Sequence, residues 1–355
     1  MSLSFAPELF TAKVAMGTDT DPIMLEANLC RLADGSLFLS WTGDGTAEPQ
    51  ECNRSYFSKS YDHGRTWETP TVLFAHPRKG IFTPESFSVG NRIFTFPCSY
   101  YEGSNFAQDC HSYISVSEDS GRTFTPPASI GNAINNVHVK DHLILGDRIL
   151  VACSWVECTS RDWASFKNGN KDCIVAGVRF APEDFKGIHR TEYCGVMISE
   201  DAGKTWSLHG RIGEENTVFV EPALTRLSDG TLVILIRNNA IPFLFESRST
   251  DGGLHWSEAR STGIPSSITK IALERDTHGR IYLLHNPKGK RNPLSLWISD
   301  DDMQSWGKKI DLISGDAEER IAYPDIVIDE ERGMLCFGWD DRSAIYYSEY
   351  PLDAL

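Results

Sequence analysis

Six polar side chains of different chemical types recur at one position of a repeated segment. Five of them lie nine or ten residues before the Gly or Asp that closes a predicted hairpin turn, and one is the nearest polar counterpart in its own segment. In chain order they are Glu26, Glu85, His138, Glu221, Lys270 and Tyr323. Carboxyl, imidazole, amine and phenol groups are the types that acid–base and nucleophilic catalysis use. If the repeated segments occupy equivalent positions in the fold, these six side chains lie close together in the structure.

A second repeat explains why the segments would be equivalent. The pattern S-x-D-x-G-x-x-[WF] begins at residues 60, 117, 199 and 249, and a degenerate copy at residue 299 has Met303 in place of Gly. In such a turn the Asp accepts backbone N–H bonds, the Gly supplies a positive φ and the aromatic ring packs back as an anchor. The closing aromatics are 57, 82, 50 and 50 residues apart, which indicates one copy per propeller blade.

These repeats predict an all-β fold, a six-bladed β-propeller that forms a single domain over residues 1–355. Residues 343–350 would be a late strand of blade six, and residues 9–16 would supply its outer strand. Blade three carries an insertion over about residues 156–192, either a substrate lid or a surface loop. Because the first strand of each blade is innermost, the six polar side chains either form a site at one mouth of the channel or merely solvate it.

The amino-acid composition limits which partners and which cellular compartment we expect. A net charge of −15 disfavours nucleic acid and anionic membranes, and no apolar run is long enough to span a bilayer. The first residues lack the pattern of a signal peptide, and the nine cysteines include no CxxC pair, so we expect free buried thiols and a cytoplasmic location. Without a phosphate-binding loop or a zinc motif, we expect no cofactor and no metal. An anionic carbohydrate could still bind, but only through a local cluster of arginines.

The repeats resemble the Asp-box (BNR) repeats of the sialidase superfamily, and the resemblance covers essentially the whole chain. Sialidases use a Tyr nucleophile paired with a Glu, and three arginines bind the substrate carboxylate. The resemblance implies that Tyr323 is the nucleophile, that Glu221 is its base, and that Arg237 and Arg291 are carboxylate ligands. Sialidases are an exception to the two-carboxylate rule of glycosidases.

Blade one departs from the pattern of the family. Its early Arg-Ile-Pro segment is missing, and residues 25–28 stand in its place with the carboxylate Glu26. The acid/base Asp of the family belongs on the loop before the first Asp box. Asp44, Glu48 and Glu51 are the candidates there, and Asp44 is our prediction.

Three functions of different classes therefore remain open. The first is a sialidase-like exo-glycosidase that removes a terminal, acidic sugar. The second is a lyase for uronate-containing polysaccharides, in which the base, the acid and the neutralising cation would come from His138, Lys270, Tyr323 and Arg237. The third is a non-catalytic glycan-binding propeller, in which sugar rings would stack on Trp41, Trp155 and Trp339.

Overall fold

The structure is a computed structural model that describes residues 3–100, 111–130, 137–158, 173–175, 178–180, 190–213, 218–288, 290–316 and 319–355. Over these residues it is an all-β, six-bladed propeller, as the repeats predict. Each blade is an antiparallel sheet whose strands follow chain order from the channel outward, except where the N-terminal strands join in. The insertion predicted in blade three lies largely outside the described residues.

The first three blades each contain four strands. Those of blade one are Met24–Arg31, Leu37–Gly43, Arg54–Ser60 and Thr71–Phe74. Those of blade two are Gly80–Val89, Arg92–Tyr100, His111–Ser117 and Ala128–Ser129. Those of blade three are His138–Leu145, Arg148–Cys158, Arg190–Ser199 and Ser207–Ile212. A separate two-stranded hairpin, Cys173–Val175 and Val178–Phe180, follows the second strand of blade three.

The last three blades repeat this arrangement. The strands of blade four are Phe219–Arg226, Leu232–Asn238, Phe243–Ser249 and Arg260–Pro265. Those of blade five are Ala272–Arg275, Ile281–His285, Leu294–Ser299 and Lys308–Ser314, and Ser4–Phe5 adds a short fifth strand at its outer edge. Those of blade six are Ala322–Asp329, Met334–Asp340 and Ala344–Pro351. A short 3₁₀ helix, Leu352–Ala354, follows.

The N-terminal strand completes blade six, which confirms the predicted closure. Phe10–Met16 pairs antiparallel with Ala344–Pro351. Arg65 of blade one reinforces the junction, because its guanidinium forms an ion pair with the buried Glu349 of blade six. The same guanidinium lies 3.7 Å from the ring centre of Phe10. The ring of blades is therefore closed by contacts between distant parts of the chain.

Apolar side chains fill the spaces between neighbouring blades. One cluster, for example, joins Leu29 and Leu39 of blade one to Tyr347 of blade six, and similar clusters lie at the other junctions. The three tryptophans considered as sugar platforms belong to these cores, with exposures of 0%, 3% and 0% for Trp41, Trp155 and Trp339. The prediction that these tryptophans stack on sugar rings is therefore wrong. Their side chains lie on blade faces that pack against a neighbouring blade.

All five Asp boxes form the same turn. In each box the Ser and Asp side chains are 2.8–2.9 Å apart, and a backbone N–H four residues after the Ser donates to its hydroxyl. Met303 takes the glycine position of the degenerate copy with a φ of 64°, and its N–H makes that bond at 2.9 Å. The hydrogen bonds of the turn thus tolerate a residue other than Gly.

Among the cysteines whose burial the structure describes, five lie in the interior, namely Cys30, Cys98, Cys153, Cys194 and Cys336. Cys52 is exposed on the loop before the third strand of blade one. The prediction of buried cysteines is confirmed for these five and wrong for Cys52. No helix in the described part of the chain is long and apolar enough to span a bilayer.

Replacing Gly64 with Ala should weaken the junction of blades one and six. Gly64 has a φ of 78°, and a Cβ atom there would lie 2.1 Å from Tyr347 Cε1. Gly146 is the matched control, since its φ is 71° but a Cβ would have no atom within 4 Å. We expect Gly146→Ala to lower the free energy of unfolding by about 1 kcal/mol and Gly64→Ala by about 3 kcal/mol, measured by urea unfolding. Equal losses of unfolding free energy in the two variants would contradict a stabilising role for the close packing of Gly64 against Tyr347.

Candidate functional site

Three first strands carry a bulge that holds a polar residue in the left-handed region. The φ angles are 58° at Glu26, 49° at Glu221 and 51° at Tyr323. The strand register shifts at each of these residues, so each is an extra residue in its strand. A bulky residue at positive φ is rare and costs free energy, and bulges of this kind commonly aim side chains into functional sites.

The bulges also correct the register predicted for blades two and three. In blade two the shift lies between Phe82 and Glu85, so Glu85 comes two positions after the start of the bulge. In blade three it lies between Val139 and Asp141, so Lys140 rather than His138 is the counterpart of Glu26. The sequence also contains a signal of these bulges that the prediction did not use. A Pro follows Glu221 and Tyr323 directly, and residues 83–84 of blade two are likewise Thr-Pro.

Tyr323, Glu221 and Arg237 form the centre of the mouth. Arg237 makes an ion pair with Glu221, and the charges of both side chains act on the Tyr323 phenol. Burial would raise the pKa of Glu221, but Arg237 and Lys140 outweigh it and bring that pKa to about 2. Burial and the Glu221 carboxylate raise the pKa of the Tyr323 phenol, against the opposing charges of Arg291 and Arg237. The pair is therefore a neutral phenol beside an ionised carboxylate.

Further arginines surround this centre. The guanidinium carbon of Arg291 lies 5.0 Å from the ring centre of Tyr323, and that of Arg320 lies 5.6 Å from it. Arg320 also lies 3.7 Å from the buried Asp340 carboxylate. The sequence reasoning identified Arg291 and missed Arg320, although Arg320 stands only three residues before Tyr323. The mouth thus gathers cations in a protein of strongly negative net charge.

An ion pair occupies the part of the mouth that blade one provides. Lys140 Nζ lies 3.2 Å from Glu26 Oε2, and both side chains are 13% exposed. The Glu26 backbone N–H donates to Asp340 Oδ2 at 3.0 Å, which fixes the bulge. Where the resemblance implies an arginine from blade one, the structure therefore has a carboxylate neutralised by a lysine from blade three.

The loop before the first Asp box holds the candidates for a catalytic acid. Both oxygens of Asp44 accept hydrogen bonds from the Tyr56 hydroxyl, at 3.0 and 2.8 Å, and Arg54 lies 3.5 Å away. Glu48 instead lies 3.8 Å from Arg342, and burial together with Glu26 raises the pKa of its carboxyl group. The same pKa responds to the charges of Arg320 and Arg291, so Glu48 shares the electrostatic environment of Tyr323. Glu48 is therefore a second candidate for the acid, and the choice of Asp44 stays a prediction.

A second polar layer lies in the channel and contains Glu85 and Lys270. Lys270 Nζ is 3.3 Å from Asp325 Oδ1, 3.2 Å from Asn28 Oδ1 and 3.6 Å from Glu85 Oε2. His142 Nδ1 lies 3.2 Å from the other oxygen of Glu85. Glu85 and Lys270 are 2% and 3% exposed, so they stabilise the channel instead of contacting a ligand at its mouth.

His138 begins the first strand of blade three and contacts blade two. Its ring nitrogens are 3.1 and 2.9 Å from the Tyr100 hydroxyl. From the predicted set, the structure therefore brings together Glu26, Glu221, Tyr323, Arg237 and Arg291. Glu85 and Lys270 lie in the buried layer, and His138 contacts Tyr100.

One cluster of this second layer has the spacing of a metal site. Ligand atoms of Glu85, Asp141 and His142 lie within 4.8 Å of one another. Burial opposes protonation of His142, but Glu85 and Asp141 hold the pKa of its imidazole at about 9. A protonated imidazole is a poor ligand, and Lys270 adds a second cation beside Glu85. We interpret the cluster as an ion-pair network, and the expected absence of a metal stays a prediction.

A family model described as a BNR repeat-like domain matches residues 86–336, which is more than half of the chain. This chain belongs to the BNR repeat-like family. The resemblance to the sialidase superfamily, suggested by the Asp boxes, is confirmed by this match and by the fold. No curated protein matches the chain in sequence.

Solved structures of low sequence identity share the fold of this BNR repeat-like protein. The Hadza microbial sialidase Hz136 has a TM-score of 0.72 at 15% identity, over 94% of this chain and 66% of its own. A protein of unknown function from Dyadobacter fermentans has a TM-score of 0.74 at 15% identity, over 97% and 99%. Trypanosoma rangeli sialidase in complex with sialic acid has a TM-score of 0.68 at 14% identity, over 98% and 59%. The chain thus spans 66% and 59% of the length of these two sialidases.

Removing the Lys270 ammonium should destabilise the protein strongly and in a pH-dependent way. Lys270→Met leaves Glu85 and Asp325 buried without their cation, and we expect a loss of about 3–5 kcal/mol near pH 7. Burial already raises the pKa of Asp325 to about 6, although Lys270 lowers it. The fold disfavours the ionised form of Asp325, so the free energy of unfolding falls as pH rises through that pKa. Without Lys270 the pKa of Asp325 is higher still. The deficit should therefore shrink at pH 5.

Lys59→Met is the matched control for this prediction. Lys59 is 6% exposed, but its ammonium donates to a neutral acceptor, the Ser120 carbonyl, at 2.8 Å. Unfolding by urea at pH 5 and pH 8 measures both variants. A Lys270→Met deficit that equals that of Lys59→Met, or does not change with pH, would contradict the charge-network interpretation.

Proposed function

We propose that this protein is a sialidase-like exo-glycosidase that removes a terminal acidic sugar from a glycan. The observation that carries the proposal is a neutral phenol, Tyr323, that lies beside the ionised Glu221 and under the guanidinium groups of Arg291 and Arg320. A carboxylate nucleophile would be repelled by a substrate with a carboxylate at its anomeric carbon, whereas a phenol is not. Cations around the phenol would hold that carboxylate.

The reaction would proceed in two displacements. Tyr323 Oη attacks the anomeric carbon while its proton passes to the Glu221 carboxylate, and the bond from the anomeric carbon to the glycosidic oxygen breaks. Glu48, with its raised pKa, donates a proton to the departing oxygen. Water then attacks the anomeric carbon, the bond to Tyr323 breaks, and Glu221 returns the proton to the phenolate. Glu48 accepts the proton of the water.

Arg291, Arg320 and Arg342 are the groups that we expect to bind the substrate carboxylate. Arg237 is already engaged by Glu221, so it would act mainly by orienting that carboxylate and the phenol. Arg342 is 43% exposed and has only a 3.8 Å contact with Glu48, which leaves its guanidinium accessible. These side chains would compensate for the arginine that blade one lacks.

The lyase and the glycan-binding alternatives have weaker support. For a lyase, the predicted His138 base contacts Tyr100 and the predicted Lys270 cation is buried in the channel. For a glycan-binding propeller, the three predicted tryptophan platforms are buried in the blade cores. A lyase would release an unsaturated uronate that absorbs ultraviolet light, so product analysis separates it from a hydrolase.

Tyr323→Phe should abolish hydrolysis of a fluorogenic α-sialoside. We expect kcat/KM to fall at least about 1,000-fold, because the nucleophilic oxygen is lost. Tyr350→Phe is the control, since it removes a phenol that donates to Glu8 at 3.3 Å, and Tyr350 pairs with Leu335 at the end of the blade-six strands far from Asp340. Its activity should remain near that of the wild type.

A covalent trap tests the nucleophile directly. After incubation with 2,3-difluorosialic acid, mass spectrometry of wild-type peptides should locate the added sugar on Tyr323, and the Phe variant should carry none. Full activity of Tyr323→Phe, or a label on another residue, would reject the assignment. A wild type that hydrolyses no acidic glycoside would reject the proposed function.

Glu48→Gln should distinguish the two candidate acids by the leaving group. With methyl α-sialoside, whose alcohol needs protonation, we expect kcat to fall about 100-fold, whereas an aryl sialoside should lose less than about 10-fold. The wild-type rate should decline as pH rises through the raised Glu48 pKa, because the protonated form is the acid. Asp44→Asn is the matched control and should affect both substrates alike. If Asp44→Asn gives the split instead, Asp44 is the acid.

A further inference from the structure

Asn286 is a buried residue that joins three segments of the chain. It follows the second strand of blade five, Ile281–His285, and the residue is 0% exposed. Its side-chain nitrogen donates to the Pro293 carbonyl at 2.8 Å and to the Ile321 carbonyl at 2.9 Å. An amide nitrogen has two donors, and both are used here to connect segments that are distant in the sequence.

The first two of these segments carry groups of the proposed active site. Pro293 stands two residues after Arg291, and Ile321 stands two residues before Tyr323. The two segments also contact each other directly, because the Ile321 N–H donates to the Arg291 carbonyl at 2.8 Å. The Asn286 amide therefore lies where the segment of Arg291 meets the segment of Tyr323.

The third segment holds the guanidinium group of Arg291. The Ile268 carbonyl accepts hydrogen bonds from Arg291 Nε at 3.1 Å and from Arg291 Nη2 at 2.7 Å. The N–H of the preceding residue, Ser267, donates to the backbone carbonyl of Asn286 at 2.8 Å. The side chain of Asn286 thus holds the backbone next to Arg291, and its main chain holds the segment that anchors the Arg291 side chain.

We propose that Asn286 is a positioning residue that fixes the Arg291 guanidinium relative to the Tyr323 hydroxyl. The inference rests on the proposed function. In a 2-keto sugar acid, the carbon that Tyr323 attacks is bonded directly to the carboxylate that Arg291 binds. The place of the guanidinium therefore determines how far that carbon lies from the nucleophile, and a displacement of about 1 Å can cost about 100-fold in rate. Asn286 is fully buried, so it acts through the segments that it joins and does not touch the substrate.

Asn292 ties the same loop to a different part of the protein and supplies a matched control. Its side-chain nitrogen donates to the Gly315 carbonyl at 3.0 Å and to the Asp316 carbonyl at 2.7 Å, after the last strand of blade five. Like Asn286 it bridges two backbone carbonyls, but these lie outside the contact between the segments of Arg291 and Tyr323.

A double-mutant cycle on hydrolysis of a fluorogenic α-sialoside tests the proposal. Asn286→Ala should lower kcat about 30-fold and change KM less than about threefold, because the carboxylate is still bound but the anomeric carbon is misplaced. In an Arg291→Gln background the same change should cost about threefold or less, because no guanidinium is left to misplace. Asn292→Ala should likewise lower kcat about threefold or less, since the bonds that join the two segments remain. Urea unfolding of each variant gives the folded fraction by which its rate is corrected.

Each outcome decides a separate claim. An unchanged kcat in Asn286→Ala, a loss equal to that of Asn292→Ala, or the same loss with and without Arg291 overturns the positioning role while the proposed function stands. If the wild type hydrolyses no acidic glycoside, the proposed function fails and this inference fails with it. If Asn286→Ala does not fold, Asn286→Asp replaces it in the same cycle. It keeps the volume and, when protonated, one of the two donors, so we expect a loss of about tenfold that again depends on Arg291.

Discussion

The innermost strand of every blade is the edge of a sheet, so its inward N–H groups have no strand to pair with. Buried carboxylates from other blades meet this requirement at three described positions. Asp325 accepts the Leu29 N–H at 2.8 Å, Asp340 accepts the Glu26 N–H at 3.0 Å, and Asp141 accepts the Leu224 N–H at 2.5 Å. A buried unpaired N–H costs more free energy than the bond returns, which explains why charged groups are kept in the channel.

Those carboxylates in turn require cations, and this requirement connects the scaffold to the site. In the second layer Lys270 lies beside Asp325, and at the mouth Arg320 lies beside Asp340. Arg320 is then close enough to the Tyr323 ring to act on a bound anion. The electrostatic character of the mouth therefore follows partly from the need to hold the edges of the sheets together. Binding of an acidic sugar would use charges that the fold already needs.

The sequence predicted the architecture well because the Asp box is local. Each box places its Ser, Asp and Gly within five residues, so the number and order of the blades could be counted along the chain. The site was harder because the bulges shift the register by a residue, and turn counting cannot detect them. This shift placed Glu85 in the mouth and missed Lys140. Arg320 and Glu48 come from connecting loops, whose position depends on neighbouring blades and not on the repeat.

The contacts that close the ring of blades determine when, during synthesis, the fold can be completed. The Glu26 N–H is held by Asp340, a residue 314 positions later, and Phe10–Met16 has no strand partner until Ala344–Pro351 has left the ribosome. A nascent chain that has finished blade five still has an open edge, an exposed apolar blade face and no Tyr323 beside Glu221. The mouth therefore forms only after Asp340 and Ala344–Pro351 have been translated, and a chain that stops before them would expose an aggregation-prone apolar surface and lack the mouth.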